Sequence, residues 1–220
     1  CGANWEHMDS VDAMVQDSDL VVCLADDEAA RLLCNQLCVE HQVPLILAGA
    51  FERAYGGQVL VVRPGQGGPC YQCLIQGRGQ DETAEQAPLS RSGRTAYADR
   101  PVQPEPGLSN DISPISQMVV KLALQELLKG RATSLASLDE DLAPPLWQFL
   151  NRREGQFRRL DPLGAKIHGM RIMRWYGIAF PRNEACAVCG DMVGAFGDGE
   201  DVGVSARALA LLSSPGQESS

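Results

Sequence analysis

Apolar positions along this chain fall into short runs separated by stretches with helical spacing. "SDLVVCLA" (Ser18–Ala25) is a compact apolar run behind polar residues, the pattern of a strand buried on both faces in a parallel sheet. In the following "DDEAARLLCNQLCVEHQ", Ala30, Leu33, Leu37 and Cys38 recur near helical spacing, and the acids gather in the first turn, where the helix dipole favours them. "VPLILAGA" is a second apolar run ending near Gly49. Strand, helix and strand in this order predict a right-handed βαβ unit, the building block of doubly wound α/β folds.

"GGQVLVVRP" is a further β-branched run that starts after two glycines and stops at Pro64. Residues 77–107 are rich in Gly, Pro, Arg, Ser, Gln and Glu with little apolar content, which predicts a long mobile loop. "SPISQMVVKLALQELLKG" (Ser113–Gly130) predicts an amphipathic helix that packs on the sheet. Its apolar face is expected to hold Ile115, Met118, Val119, Leu122, Leu124 and Leu127, and Gly130 is placed to end it. Beyond it, "LWQFLNRREGQFRRLDP" alternates around Glu154 and Gly155 as a hairpin would, and "IHGMRIMRWYGIAF" is a mixed strand-like run. Residues 191–220 read as an acidic, Gly- and Ser-rich tail, so one domain is expected over 1–190.

Composition narrows the function classes. The 220 residues are 45% apolar, enough for one sizeable core. The net charge of −9, from 19 basic and 28 acidic residues, argues against a duplex nucleic-acid binder, which needs a basic face. No run reaches the roughly 18–20 apolar residues of a membrane span, and no signal-peptide pattern opens the chain, so a cytoplasmic protein without a membrane partner is expected. The chain opens on Cys1 within polar sequence, which is expected of one part of a longer polypeptide.

Two of the cysteine pairs carry chemistry. "PCYQCL" (Pro69–Leu74) and "EACAVCG" (Glu184–Gly190) each contain C-x-x-C. Four thiolates around Zn²⁺ make a closed tetrahedral structural site, and this spacing lets each pair grip the ion from one tight turn. A single site of Cys70, Cys73, Cys186 and Cys189 is therefore expected. With every coordination position filled, the ion has no room for a reacting water. A redox pair is the lesser alternative, because such a pair opens a helix and "PCYQCLIQGRG" promises little helix. Cys23, Cys34 and Cys38 read as small buried hydrophobes. His7, His41 and His168 are scattered, with bland surface or core readings.

The βαβ unit, the run "AGAFERAYGGQVLVVRPGQGGPCYQCL" and the terminal "CAVCG" together resemble the ThiF/MoeB family of ubiquitin-activating-enzyme-like adenylyltransferases. That family carries an aspartate after a strand, an arginine five residues on and an asparagine four beyond. "ADDEAARLLCN" supplies Asp26, Arg31 and Asn35 in this register, and Pro44, Gly57, Val59, Pro69, Cys70, Tyr71 and Cys73 follow in order. The resemblance implies an α/β fold with an incomplete Rossmann-like sheet, a four-cysteine zinc staple, and a mixed or antiparallel C-terminal sheet region. It also implies a reaction in which the C-terminal carboxylate of a ubiquitin-like or sulfur-carrier protein attacks the α-phosphate of ATP. Mg²⁺ is the implied metal of that step, with Asp26 as its catalytic carboxylate and Asp26, Arg31 and Asn35 as cofactor-binding residues. Dimers, of one chain or two, are implied by analogy.

Other readings stand beside these. Asp26, Asp27 and Glu28 also fit a helix N-cap with first-turn acids, Arg31 a surface position, and Asn35 a helix-face amide. Nothing like G-x-G-x-x-G occurs, so the chain is expected to supply only the second half of a nucleotide site and to be inactive alone. No cysteine lies between Cys73 and Cys186, which favours an adenylate-only activator over one forming a thioester. Arg78, Arg91, Arg94 and Arg100 suit either a solvated loop or a binding surface for an acidic tail. The alternative function is a non-catalytic, zinc-stapled scaffold that docks a partner.

Overall fold

The structure, a computed structural model, describes residues 8–51, 54–79, 107–151 and 172–191. Its elements are α1 (Met8–Gln16), β1 (Val21–Cys23), α2 (Glu28–Glu40), β2 (Leu45–Ala50), β3 (Gly56–Val62), α3 (Tyr71–Gly79), α4 (Ser109–Leu128), a 3-10 turn (Ser134–Leu138), β4 (Leu146–Leu150) and β5 (Arg174–Ile178). The strands form one five-stranded sheet in the order β1-β2-β3-β4-β5. β1 and β2 run parallel with Val22 opposite Ile46, connected by α2 as the βαβ pattern predicts. β3 then returns antiparallel to β2, and β4 and β5 continue antiparallel. The fold is thus α/β with a mixed open sheet whose antiparallel part lies toward the C-terminal end of the chain.

β2 and β3 are central strands covered on both sides, which is why they read as unbroken apolar runs rather than alternating ones. On one face, Leu45, Leu47, Leu60 and Val62 pack with Leu33 and Leu37 of α2 and Leu74 of α3. On the other, Ile46, Ala48, Val59 and Val61 pack with Ile115, Met118, Val119 and Leu122 of α4. Gly57 permits that closeness: a Cβ there would stand 2.1 Å from Cδ1 of Ile115.

Several expectations change at this level. α4 begins at Ser109, four residues earlier than "SP" suggests, with Pro114 inside it and Oγ of Ser113 donating to the carbonyl of Ser109 at 2.8 Å. Leu124 and Leu127 leave the predicted apolar face and are 47% and 44% exposed. At about 100° per residue Leu124 lies half a turn from Ile115, so only the narrower stripe reaches the sheet. Gly130 ends the helix region with φ +75°, as expected.

The expectation of little helix after Cys70 is also overturned. α3 runs from Tyr71 to Gly79 and takes the first residues of the expected loop. Its N-terminal support comes from α2 and not from its own sequence, as described below. β4 forms within the run that predicts a hairpin, but its partners among the described residues are β3, with Leu60 opposite Leu146, and β5, with Leu146 opposite Ile178. The predicted turn at Glu154 and Gly155, the loop over 80–106 and the tail over 192–220 lie outside the described residues. α1 had no signal in the sequence reading. It packs Val11 and Val15 onto the α2 side of the core, and Nε2 of His41 meets Oδ1 of Asp12 at 2.7 Å.

Candidate metal centre and strand-end site

Cys70, Cys73, Cys186 and Cys189 converge at the edge of α3, with all four sulfurs within 4.8 Å of one another. Cys70 Sγ lies 3.9 Å from Cys73 Sγ and 3.7 Å from Cys186 Sγ, and Cys73 Sγ lies 3.4 Å from Cys189 Sγ. Ligands at about 2.3 Å in a tetrahedron stand roughly 3.8 Å apart, so the donor set fits a four-thiolate cation site. Cys70 is no nearer to its C-x-x-C neighbour than to Cys186, which is a four-sulfur cluster and not an isolated redox pair. No disulfide links them, and the first three are buried. A cation here would staple segments 116 residues apart in sequence.

The protons of these thiols are held unequally. Cys73 is pulled well below an ordinary thiol by hydrogen bonds from Cys186, Cys189 and Cys70. Cys186 is lowered, chiefly by the Cys189 thiol. Cys70 and Cys189 are pushed up, each first by its bond to Cys186. Two backbone donors also reach the cluster, Asn183 N to Cys73 Sγ at 3.4 Å and Val188 N to Cys186 Sγ at 3.5 Å. Such donors compensate the negative charge of bound thiolates.

Local geometry explains why each pair presents its sulfurs together. In the second turn, Gly190 N donates to the carbonyl of Cys186 at 2.8 Å and Asp191 N to that of Glu184 at 3.0 Å. A Cβ on Gly190 would lie 2.4 Å from both of those oxygens, so only glycine closes this turn. Asn183 organises it further. Its Oδ1 accepts from Ala185 N and its Nδ2 donates to Oε1 of Gln76 on α3, both at 2.9 Å. The sequence reading passed over Asn183, although an asparagine shortly before a C-x-x-C turn is a local signal for this kind of side-chain turn.

The first pair sits at the start of α3. Residue 70 is not a capping type, yet the amide of Tyr71 is satisfied by Oδ1 of Asn35, 2.9 Å away on α2. Asn35 is fully buried, and its Nδ2 has no partner among the described residues. The asparagine singled out for cofactor binding is therefore placed behind the Cys70 turn.

The other singled-out residues lie at the C-terminal ends of β1 and β2. Asp27 is the N-cap of α2, with Oδ2 accepting from Ala30 N at 2.9 Å, so the capping reading holds for it. Asp26, one residue earlier, is exposed and has no hydrogen bond or ion pair among the described residues. Arg31 is buried and not a surface residue: Nε donates to the carbonyl of Ala25 at 2.6 Å and Nη2 to that of Ala48 at 3.1 Å. Its guanidinium thus joins the two strand ends and has no carboxylate partner among the described residues. Gly49 makes room for it, since a Cβ there would stand 2.8 Å from Nη2. A buried cation that bonds the carbonyl preceding an exposed carboxylate, at the carboxyl ends of parallel strands, is an arrangement suited to a charged ligand. Arg31 bonds the carbonyl of Ala25, the residue before Asp26, so both lie at the strand ends, whereas Asn35 bonds the amide next to Cys70.

Cys23, Cys34 and Cys38 lie buried between β1 and α2, as expected of small hydrophobes. The Cys34 thiol lowers Cys23 to about 6, while burial pushes Cys38 up to about 12. His7, His168, Arg91, Arg94 and Arg100, and the side chain of Arg78, lie outside the described residues. No described helix is long and apolar enough to cross a membrane.

Comparison with known proteins agrees with this architecture. The structure is similar to E. coli MccB crystallised with AMPCPP and MccA, at 14% identity, covering 86% of this chain and 44% of that one with a TM-score of 0.51. E. coli MccB with ATP is 15% identical, with 78% and 39% covered and a TM-score of 0.46. The heterocyclase TruD is 16% identical, with 86% and 26% covered and a TM-score of 0.47. At these identities the first likeness is one of fold. The chain spans about two-fifths of the length of the MccB structures it matches. No curated protein matches the sequence. The ThiF family model matches residues 3–166, most of the sequence, and the chain belongs to the ThiF family.

Proposed function

We propose that this chain supplies the C-terminal half of an adenylating domain, which activates the terminal carboxylate of a peptide or small carrier protein with ATP. The observation that carries this reading is an exposed Asp26 at the strand ends of a ThiF-family chain, next in sequence to Ala25, whose carbonyl is held by the buried Arg31. In the reaction a carboxylate oxygen bonds to the α-phosphorus as the bond to the bridging oxygen breaks. Acyl-adenylate forms and pyrophosphate leaves. Asp26 is the carboxylate suited to an Mg²⁺ ion that neutralises the triphosphate, and Arg31 holds a fixed positive charge where anionic oxygens gather. Cys70, Cys73, Cys186 and Cys189 would hold Zn²⁺, which contributes folding energy and no chemistry.

The carboxylate donor in this reading is a ubiquitin-like or sulfur-carrier protein. A peptide donor has its own support, because MccB was crystallised with MccA. Cytoplasmic action and dimer formation belong to the same reading. The experiment is ATP–pyrophosphate exchange by the full-length protein with candidate donors. Asp26→Ala is expected to lower exchange by at least ~100-fold with metal content and Tm unchanged. Wild-type exchange in that variant returns Asp26 to the helix-entry role. A second reading, a zinc-stapled scaffold, is favoured by the structural use of Asp27 and Asn35; exchange that is absent with every donor would select it.

A further inference from the structure

Asn35 sits in the middle of α2, with no solvent exposure, and offers one acceptor and two donors to its surroundings. The acceptor is used on the amide of Tyr71, the residue directly after Cys70. The donor nitrogen Nδ2 is buried with no partner among the described residues. Leaving such a donor unpaired costs the desolvation of a polar group with nothing in return, so its retention calls for a reason. The cysteines show a matching shortage. Backbone amides reach the sulfurs of Cys73 and Cys186, but among the described residues none reaches those of Cys70 and Cys189, and Cys70 is the one next to the amide that Asn35 holds. Four thiolates around a divalent cation leave an excess of negative charge, and donors around the sulfurs offset it.

We infer that Asn35 is a positioning residue of the metal centre. Its side-chain oxygen fixes the turn that presents Cys70 and Cys73, and its unpaired amide is a donor held for the thiolate charge that arrives with the cation. This assigns to the family-register asparagine a task at the cysteines and not at the nucleotide. α2 then serves two sites, carrying Arg31 at the strand ends and Asn35 behind the Cys70 turn, one helical turn apart. The inference rests on the four-cysteine metal reading and is independent of the adenylation reaction.

The test is metal binding by the whole chain, with Co²⁺ as a spectroscopic probe and Zn²⁺ affinity measured by competition with a chromophoric chelator. Wild type is expected to take up one Co²⁺ with the visible bands of tetrahedral thiolate coordination; a chain that takes up none removes the metal reading and the inference with it. Asn35→Ala is expected to weaken Zn²⁺ binding by about 10–100-fold. Val119→Ala, in the core on the other sheet face, is the control that loses stability without losing affinity. Equal losses in both variants, or Asn35→Ala affinity within twofold of wild type, overturn the inference. Should Asn35→Ala fail to fold, Asn35→Asp keeps an acceptor for Tyr71 and removes the donor. It is expected to weaken Zn²⁺ by at least about 10-fold and to shift the Co²⁺ thiolate bands, and an unchanged spectrum with unchanged affinity overturns the inference.

Discussion

On the α4 face of the sheet, Ile115, Met118, Val119 and Leu122 meet Ile46, Ala48, Val59 and Val61 in an apolar layer. An ion pair closes its rim: Arg63 meets Glu126 at 2.7 Å and also donates to the carbonyls of Leu142 and Ala143. On the α2 and α3 face the apolar layer is interrupted by groups with directional demands. Arg31 joins two strand ends, Asn35 caps α3, and four cysteines draw the last described segment onto α3. The α4 face is held by contact area, which is tolerant of detail and roughly additive. The other face depends on a few polar bonds and on a four-cysteine cluster that could hold a cation, each demanding in geometry. Packing sets the scaffold here, and the candidate chemistry sits where packing is broken by polar groups.

The largest predicted effect breaks the second face. Cys70→Ser, or exhaustive chelation of the metalated chain, is expected to destabilise by more than about 4 kcal/mol, because a structural site contributes its binding energy to folding. Thermal or denaturant unfolding with metal analysis checks this, and unchanged stability after complete metal removal counts against the staple. Next comes the α4 face. Leu122→Ala, at a site with no exposure, is expected to cost about 2–5 kcal/mol while leaving metal stoichiometry intact. Metal loss in that variant at temperatures where it stays folded would show that the faces are coupled. The smallest effect is local. Asp27→Ala removes the α2 cap and is expected to cost about 0.5–2 kcal/mol with metal affinity retained, read by chemical denaturation. A larger loss would show that the strand-end turn is held by more than its cap.

These two faces also differ in how much of them the sequence discloses. The α4 helix, the central strands and the βαβ unit are legible because apolar period is a local property of a few residues. Spacing alone points to Ile115, Met118, Val119 and Leu122, whereas Leu124 and Leu127 are apolar yet lie off the buried stripe. The cysteine site was legible for a different reason, since C-x-x-C is a local spacing whose second copy supplies the missing ligands. α3 was not, because its cap lies on another helix 36 residues away in sequence. Arg31 looked like a surface residue or a ligand contact, and only the convergence of two parallel strand ends shows what its donors reach.

By itself, then, the sequence determined the short-range choices: which runs become strands, where α2 and α4 form, that Asp27 caps a helix, and which four sulfurs make one cluster. Tertiary structure decided that β4 pairs with β5, that a helix follows Cys70, that Asn35 stands behind the metal turn and that Arg31 is buried between Ala25 and Ala48. Hydrophobic period and capping types act over a few residues and leave their mark in order along the chain. A buried donor finds its acceptor across the fold, and nothing in its local sequence records which one.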